Sequence, residues 1–325
     1  MAVFTPLDVA TAAHIARRLA LGTVERIEPI AAGSVNSNFA LHLSGGRRVF
    51  LRIHEEQGTD GVAFEWELLD VLARAGAAVV APLRGEPPTA PGELGVGGKP
   101  VAVFPFVDGE PSCQRGVTVA RAAHVGELLA RCHGVARASG LSRRGRFGPD
   151  EIRERFERAR RSTVRRDVLD AVDRLEGVLD ELVATREPSL PVAVVHGDLF
   201  RDNVLWRGDE LVAVLDWESA ADERLVYDLA VTMLAWCYGD DLDLDLARAM
   251  VASYDRVRPL EPVERRALRR EAMMACVRFG ATRITDYALR EGIGNRVVKD
   301  YRRFLARLDR VSRFDDDGFV AALLG

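Results

Sequence analysis

Between the apolar runs Val194-Val195 and Val204-Leu205-Trp206 the chain places His196, Asp198, Arg201, Asp202 and Asn203, so that polar side chains crowd the junction of two short strands. Four residues separate Asp198 from Asn203, and the next apolar run, LVAVL at 211–215, ends in Asp216. Residues of these types at this spacing suit phosphoryl transfer from a nucleoside triphosphate, which demands little covalent chemistry of a protein. It needs an oxygen base beside an acceptor hydroxyl and hard oxygen ligands for the magnesium that bridges the phosphates. On this reasoning Asp198 is the base, and the Asn203 amide and the Asp216 carboxylate are the metal ligands. His196 is expected to pack and hydrogen-bond the loop, Asp202 to bond within it, and Arg201 either to tether it or to touch substrate. Turns use Asp and Asn for their own hydrogen bonds, so a lone His-x-Asp would carry little weight. Here several spaced elements coincide.

The order His-x-Asp, Asn, Asp is the one kinase catalytic loops use, and the flanking sequence should then supply the rest of an ATP site. The turn AAGSVNSN at 31–38 lies between two strand-like runs, where a phosphate-covering loop belongs. Gly33 permits close backbone approach, and Ser34 or Ser37 could donate to phosphate oxygens. Arg52, in VFLRI, stands where kinases place a lysine, and a guanidinium can grip phosphate in its place. Glu65 is its expected ion-pair partner, with Glu67 second. The run VAVFPFV at 101–107 would meet the adenine edge through Phe104, Phe106 and Val107. Asp228, ahead of an apolar helical run, is expected to brace the loop from behind.

These residues need two kinds of scaffold. From about residue 21 to 106 the pattern is strand-like, with hairpin signals at GGRR and in PPTAPGELGVGGKP and one helix in FEWELLDVLARAG. Beyond residue 111 amphipathic helices dominate; RERFERARRSTVRRDVLDAVDRLEGVLDELVA reads as one long helix or two in succession. The expected organisation is an α+β chain with a small β-rich ATP-binding lobe over 1–105. A larger helical lobe over 106–325 holds the catalytic loop and the acceptor site.

Composition narrows the partners. A net charge of −4 gives no reason to expect nucleic acid as the main ligand. The arginines of 153–166 alternate with acids, which favours a solvated helix with internal ion pairs. No apolar run approaches bilayer length, and the first residues lack a secretory pattern, so a cytoplasmic location is expected and no membrane partner. Cys113, Cys132, Cys237 and Cys276 show no paired spacing and read as free thiols. The only lysines are Lys99 and Lys299, so nearly every cation is an arginine.

HGDLFRDNVLW, LDWE and YDLA resemble the motifs of the aminoglycoside phosphotransferase/choline kinase superfamily. The start MAVFTPLD and the turn GSVNSNF narrow the resemblance to its bacterial homoserine kinases. HGD, where members of that group carry HAD, and DWE, where they carry DFY, depart from its pattern. The resemblance covers nearly the whole chain. It implies a protein-kinase-like bilobal fold, ATP and Mg2+ as cofactors, and phosphorylation of the side-chain hydroxyl of L-homoserine. The alternative acceptor is another small hydroxyl compound, an amino alcohol, aminoglycoside or sugar. A metal hydrolase would want more histidines near the loop than His196 alone, and a silent nucleotide-binding module would lack the base or a metal ligand.

Overall fold

The computed structural model describes residues 4–30, 35–290 and 299–325. They divide into two units, one containing Met1–Glu110 and Leu205–Glu218, the other Pro111–Val204 and most of the chain from Ser219 onward.

The first unit begins with α1 (Val9–Arg18), started by Asp8, whose carboxylate accepts the Thr11 N–H at 2.8 Å and its hydroxyl at 2.9 Å. Strands β1 (Val24–Ile30), β2 (Ser37–Leu43) and β3 (Arg48–Ile53) follow, then α2 (Thr59–Arg74), β4 (Gly95–Val96) and β5 (Lys99–Pro105). They form an antiparallel sheet in the order β1-β2-β3-β5-β4. Alternation along β3 decides where its side chains go. Val49, Leu51 and Ile53 enter a core with Ile15 of α1, Leu41 and Val103. Phe50 and Arg52 take the opposite face. The helix α2 starts at Thr59, ahead of the apolar run that marks it in sequence, and buries Glu65 along with Trp66, Leu69 and Leu72 while Glu67 stays exposed.

The short β6 (Glu110–Pro111) precedes the helical unit, which opens with α3 (Val119–Ser139), α4 (Pro149–Ser162) and α5 (Arg166–Thr185). The long charged run is therefore two helices, separated at Thr163–Arg165. Within α4, Arg153 pairs with Asp150 and Arg161 with Glu157. Most of its arginines also reach neighbouring helices: Arg153 to Asp180, Arg160 to Asp173 and Glu176, Arg155 to Asp286. After β7 (Val192–Val195) the chain returns to the first unit as a hairpin, β8 (Val204–Arg207) and β9 (Glu210–Val214). Val214 of β9 bridges in parallel to Val79, and its N–H donates to Ala78 O at 2.7 Å, which anchors the strand beside α2.

The second unit resumes with β10 (Ala221–Arg224), antiparallel to β7, in a stretch whose sequence shows no strand pattern. The helices α6 (Leu225–Trp236), α7 (Leu244–Val257), α8 (Pro262–Asp286), α9 (Arg302–Ser312) and α10 (Asp316–Leu324) complete it. Every residue of α6 is buried, Asp228 included. A buried acid in an all-apolar helix must have a matched purpose. Among the described residues no helix is long and apolar enough to cross a membrane. All four cysteines are free, and only Cys113 is exposed.

Candidate functional site

In the second unit His196 directly follows β7, and the chain turns at Gly197, where φ is +72°. A side chain there would be strained by the backbone angle, which explains glycine at this step. The loop beyond it is closed by its own hydrogen bonds. The Asp198 N–H donates to His196 Nδ1 at 3.2 Å, the Phe200 N–H to Asp198 O at 2.7 Å and the Asn203 Nδ2 to the same carbonyl at 2.8 Å. Because the Asn203 amide nitrogen is committed inward, its oxygen is the end left for a ligand. Trp236 Nε1 donates to Leu199 O at 3.0 Å and Arg201 to Ala235 O. Arg201 is therefore a tether of the loop.

Asp228 lies beneath this loop. Its Oδ2 accepts the His196 N–H at 3.0 Å and its Oδ1 the Gly197 N–H at 2.8 Å. His133 Nε2 stands 3.0 Å from Oδ2, and His133 Nδ1 is 2.7 Å from the Tyr254 hydroxyl. Burial would raise this carboxyl, but the His133 bond, the His133 and His196 rings and the Gly197 N–H outweigh it and hold the acid below its ordinary value. The result is an anion that fixes the backbone from which Asp198 projects. Asp198 itself is about a third exposed, at 31%. Arg278 of α8 donates to Gly197 O at 2.6 Å, lies 3.7 Å from Asp198 Oδ1, and stacks between the rings of Phe147 (4.1 Å) and Phe279 (4.0 Å).

In the first unit Arg52 Nη1 is 3.1 Å from Asp216 Oδ1 and 3.2 Å from Glu218 Oε1. Burial works against its charge, yet Asp216, Glu218 and Glu65 together hold the guanidinium above its usual value. The Arg52 ion pairs shown are thus to Asp216 and Glu218, with Glu65 acting on it through its charge, while Glu67 faces solvent. Asp216 is 40% exposed and adopts φ +65°, a left-handed conformation that Asp and Asn reach more readily than other residues with a side chain. Beside them His54 is buried, and burial followed by the Arg52 charge depresses its imidazole to about 3. Asn36 donates through Nδ2 to Glu218 and accepts the Glu55 N–H at 3.1 Å, tying the end of the β1–β2 turn to the same acid.

Ser37 needs correction as a phosphate contact. It is fully buried, its hydroxyl donates to Glu55 Oε1 at 2.6 Å, and it accepts the N–H groups of Phe4 (2.8 Å) and Thr5 (2.9 Å). No outward hydroxyl remains. Gly33 and Ser34 lie outside the described residues. Phe104 is buried on β5 opposite Phe50, their rings 6.2 Å apart, and Phe106 and Val107 are half-buried just past the strand, with Arg48 4.2 Å over the Phe106 ring.

The first unit therefore gathers Arg52, Glu65 and Asp216, and the second gathers Asp198 and Asn203. Sequence reasoning did not single out Glu218, Asn36, His133 or Arg278. Glu218 had a signal in its place two residues after Asp216; the others act across long sequence separations that spacing does not reveal. Among the described residues no group of three or more His, Cys, Asp or Glu side chains could hold a metal. Magnesium does not require such a cage, because it keeps waters and takes oxygens from substrate phosphates along with one or two from the protein. Asn203 carries an oxygen of that kind in the second unit and Asp216 carries one in the first.

The model of the phosphotransferase enzyme family matches residues 26–260. A homoserine kinase of Methylorubrum populi is 33% identical over 291 residues, 88% of each chain. Another, of Nitrobacter hamburgensis, is 32% identical across 88% of this chain and 87% of its own. Among solved structures, an amicoumacin kinase in complex with AMP-PNP, Ca2+ and Ami superposes with a TM-score of 0.67 at 12% identity, over 93% of this chain and 94% of that one. A putative aminoglycoside phosphotransferase of Ralstonia eutropha gives 0.65 at 18% identity over 98% of both. These structures share the fold.

Proposed function

Because the chain belongs to the phosphotransferase enzyme family, we propose that it is an ATP-dependent kinase that phosphorylates the side-chain hydroxyl of L-homoserine, giving O-phospho-L-homoserine. One observation carries the choice of acceptor: relatives 31–33% identical over 88% of this chain are homoserine kinases. A cytoplasmic location belongs to the same reading.

Asp198 is the group that orients the acceptor hydroxyl and takes its proton as the oxygen attacks phosphorus. It suits the task because its backbone is fixed by Asp228 and Arg278 before substrate arrives, so little reorganisation is left for the reaction. Asn203 and Asp216 are the oxygen donors to magnesium, which when bound neutralises charge on the phosphates. Arg52 is the cation for the phosphates, aligned by Glu65 and Glu218. The Arg52–Asp216 pair sets the two groups side by side, so that Asp216 would offer its oxygen to the metal and Arg52 its fork to the phosphates.

Purified protein with Mg-ATP and a panel of hydroxylated acceptors tests this, with ADP release coupled to phosphorus NMR of the product. Phosphorylated L-homoserine at a rate well above the other acceptors is expected. Strong turnover of an amino alcohol, aminoglycoside or sugar with none of L-homoserine overturns the acceptor. Acceptor-independent phosphate release overturns transfer altogether.

A further inference from the structure

Guanidinium groups withdrawn from water need compensation, and the helical unit gathers several beside the Asp198 loop without supplying acids to match. Arg278 and Arg307 are buried, and Arg201 and Arg283 are half-buried. Their donors go to main-chain carbonyls. Arg201 bonds Ala235 O, Arg278 bonds Gly197 O, Arg283 bonds Asp300 O at 3.0 Å, and Arg307 bonds Leu234 O at 3.1 Å and Arg303 O at 2.8 Å. Among the described residues the one carboxylate within ion-pair distance of any of the four is Asp198, 3.7 Å from Arg278.

Arg303, exposed on α9, adds a further positive charge. Burial lowers the proton affinity of Arg201, Arg283 and Arg307, the last two to about 10, and the Arg303 charge acts in the same direction on each, offset in part by Asp202 at Arg201 and by Cys276 at Arg307. Asp198 is among the acids that Arg283 senses. An aromatic floor keeps the heads in place. Phe279 stacks on Phe304 with centroids 5.0 Å apart, Phe200 meets Phe279 edge-on at 5.0 Å, and Arg283 lies 4.4 Å over the Phe304 ring. The cluster is thus a rigid, under-neutralised group of forks next to the loop that carries the candidate base.

We propose that Arg283 and Arg303, backed by Arg201, form the seat for a carboxylate on the phosphoryl acceptor, so that this protein selects small hydroxy acids over hydroxyl compounds without an acid group. The inference rests on the kinase reading and deepens it. A carboxylate accepts two parallel bonds from a guanidinium fork and relieves the repulsion among the arginines as it binds. An acceptor whose only charge is an ammonium meets that repulsion instead. Specificity arises from both the attraction and the penalty.

The test uses acceptors that differ only in the acid: L-homoserine against L-homoserine amide, and 4-hydroxybutyrate against 4-hydroxybutyramide, each with Mg-ATP. The acid of each pair is expected to lead by about tenfold or more in kcat/KM, the scale of a hydrogen bond to a charged group. Arg303→Gln, at an exposed position, should raise KM for the acid about tenfold with kcat and the KM for ATP little changed. Its effect on the amide should be nil, and Arg303→Lys should recover part of the loss. Arg283→Gln should do more, with circular dichroism checking its fold. Parity of acid and amide, or an unchanged KM in a folded Arg303→Gln and Arg283→Gln, overturns the inference while leaving the kinase reading standing. If L-homoserine fails but another hydroxy acid is used with the same Arg303 dependence, the homoserine reading falls and the carboxylate seat stands. Turnover confined to acceptors without an acid group overturns both.

Discussion

Replacing Asp228 with asparagine removes a charge and little else, which makes it a sharp probe of how the catalytic-type loop is held. The carboxylate accepts the N–H groups of His196 and Gly197 at 3.0 and 2.8 Å and a bond from His133 at 3.0 Å. Bonds to a charged acceptor contribute about 1.5–3 kcal/mol each, and neutral ones about half of that. Asparagine offers a single acceptor oxygen and turns an N–H2 toward a donor, so one bond is lost outright and the others weaken. The expected cost is about 3–5 kcal/mol, in line with breaking a buried charged network, and a large share of the ~5–15 kcal/mol that holds a domain. Urea unfolding followed by circular dichroism should show a lower midpoint at unchanged slope. In the folded fraction kcat should fall too, because Asp198 loses its fixed backbone. The pH dependence has a defined sign. This carboxyl titrates below its unfolded value of 3.8, so its contribution is complete above that pH and fades only as pH drops through the lower folded value. A variant within about 1 kcal/mol of wild type and fully active would refute the bracing role.

Asp198→Asn should lower kcat by about a hundredfold to ten-thousandfold, the range for losing a general base, while calorimetry finds ATP binding intact; a wild-type rate would remove Asp198 from that role. Asp216→Ala should raise the magnesium concentration needed for nucleotide binding, and identical magnesium titrations of variant and wild type would show that the metal does not use this acid. His54 contributes in the same pH sense as a salt-bridged acid but over a window that reaches higher: its folded imidazole is depressed to about 3 from 6.5. Between those values the unfolded state takes up a proton the folded state refuses, so stability drops as pH falls, by at most about 1.4 kcal/mol per pH unit. His54→Leu should flatten that slope in denaturant midpoints measured from pH 7 to 4; parallel slopes would mean that the ring is accessible to protons when folded.

What the sequence makes legible and what it hides follow from the range of the interactions. The loop between β7 and β8 announces itself because its polar residues are near neighbours at strand ends, and a turn there is dictated by Gly197 and by the Asp and Asn that close it. Arg52 and Glu65 are also readable, since period-two alternation in β3 and the apolar spacing of α2 give each a face. Ser37 shows where local reasoning fails: a serine in a Ser/Asn-rich turn looks available to phosphate, yet Glu55 and the backbone of residues 4 and 5 have claimed it. β10 is hidden because its only partner is β7, and a four-residue strand of Ala, Asp, Glu and Arg carries no alternation of its own. His133 and Arg278 lie far in sequence from the loop they serve. Nothing in the helical periodicity of α3 or α8 separates such a residue from an ordinary polar one.

The scarcity of lysine bears on the chemistry in a way that composition alone does not disclose. Lysine starts near 10.4, and under the burial and like charge that bring Arg283 down to about 10 from 12.5 it would approach neutrality at physiological pH. Arginine begins high enough to remain charged after the same loss, so cations can be packed next to one another against the Phe279–Phe304 floor and still present positive charge to a ligand. Arg52 shows the converse arrangement. There Asp216, Glu218 and Glu65 over-compensate the burial, so a lysine would also keep its charge, but its single ammonium could not match the planar fork that reaches Asp216 and Glu218 through one nitrogen while leaving the rest of the guanidinium to other acceptors. Arginine is therefore replaceable at position 52 in charge though not in geometry, and at position 283 in neither.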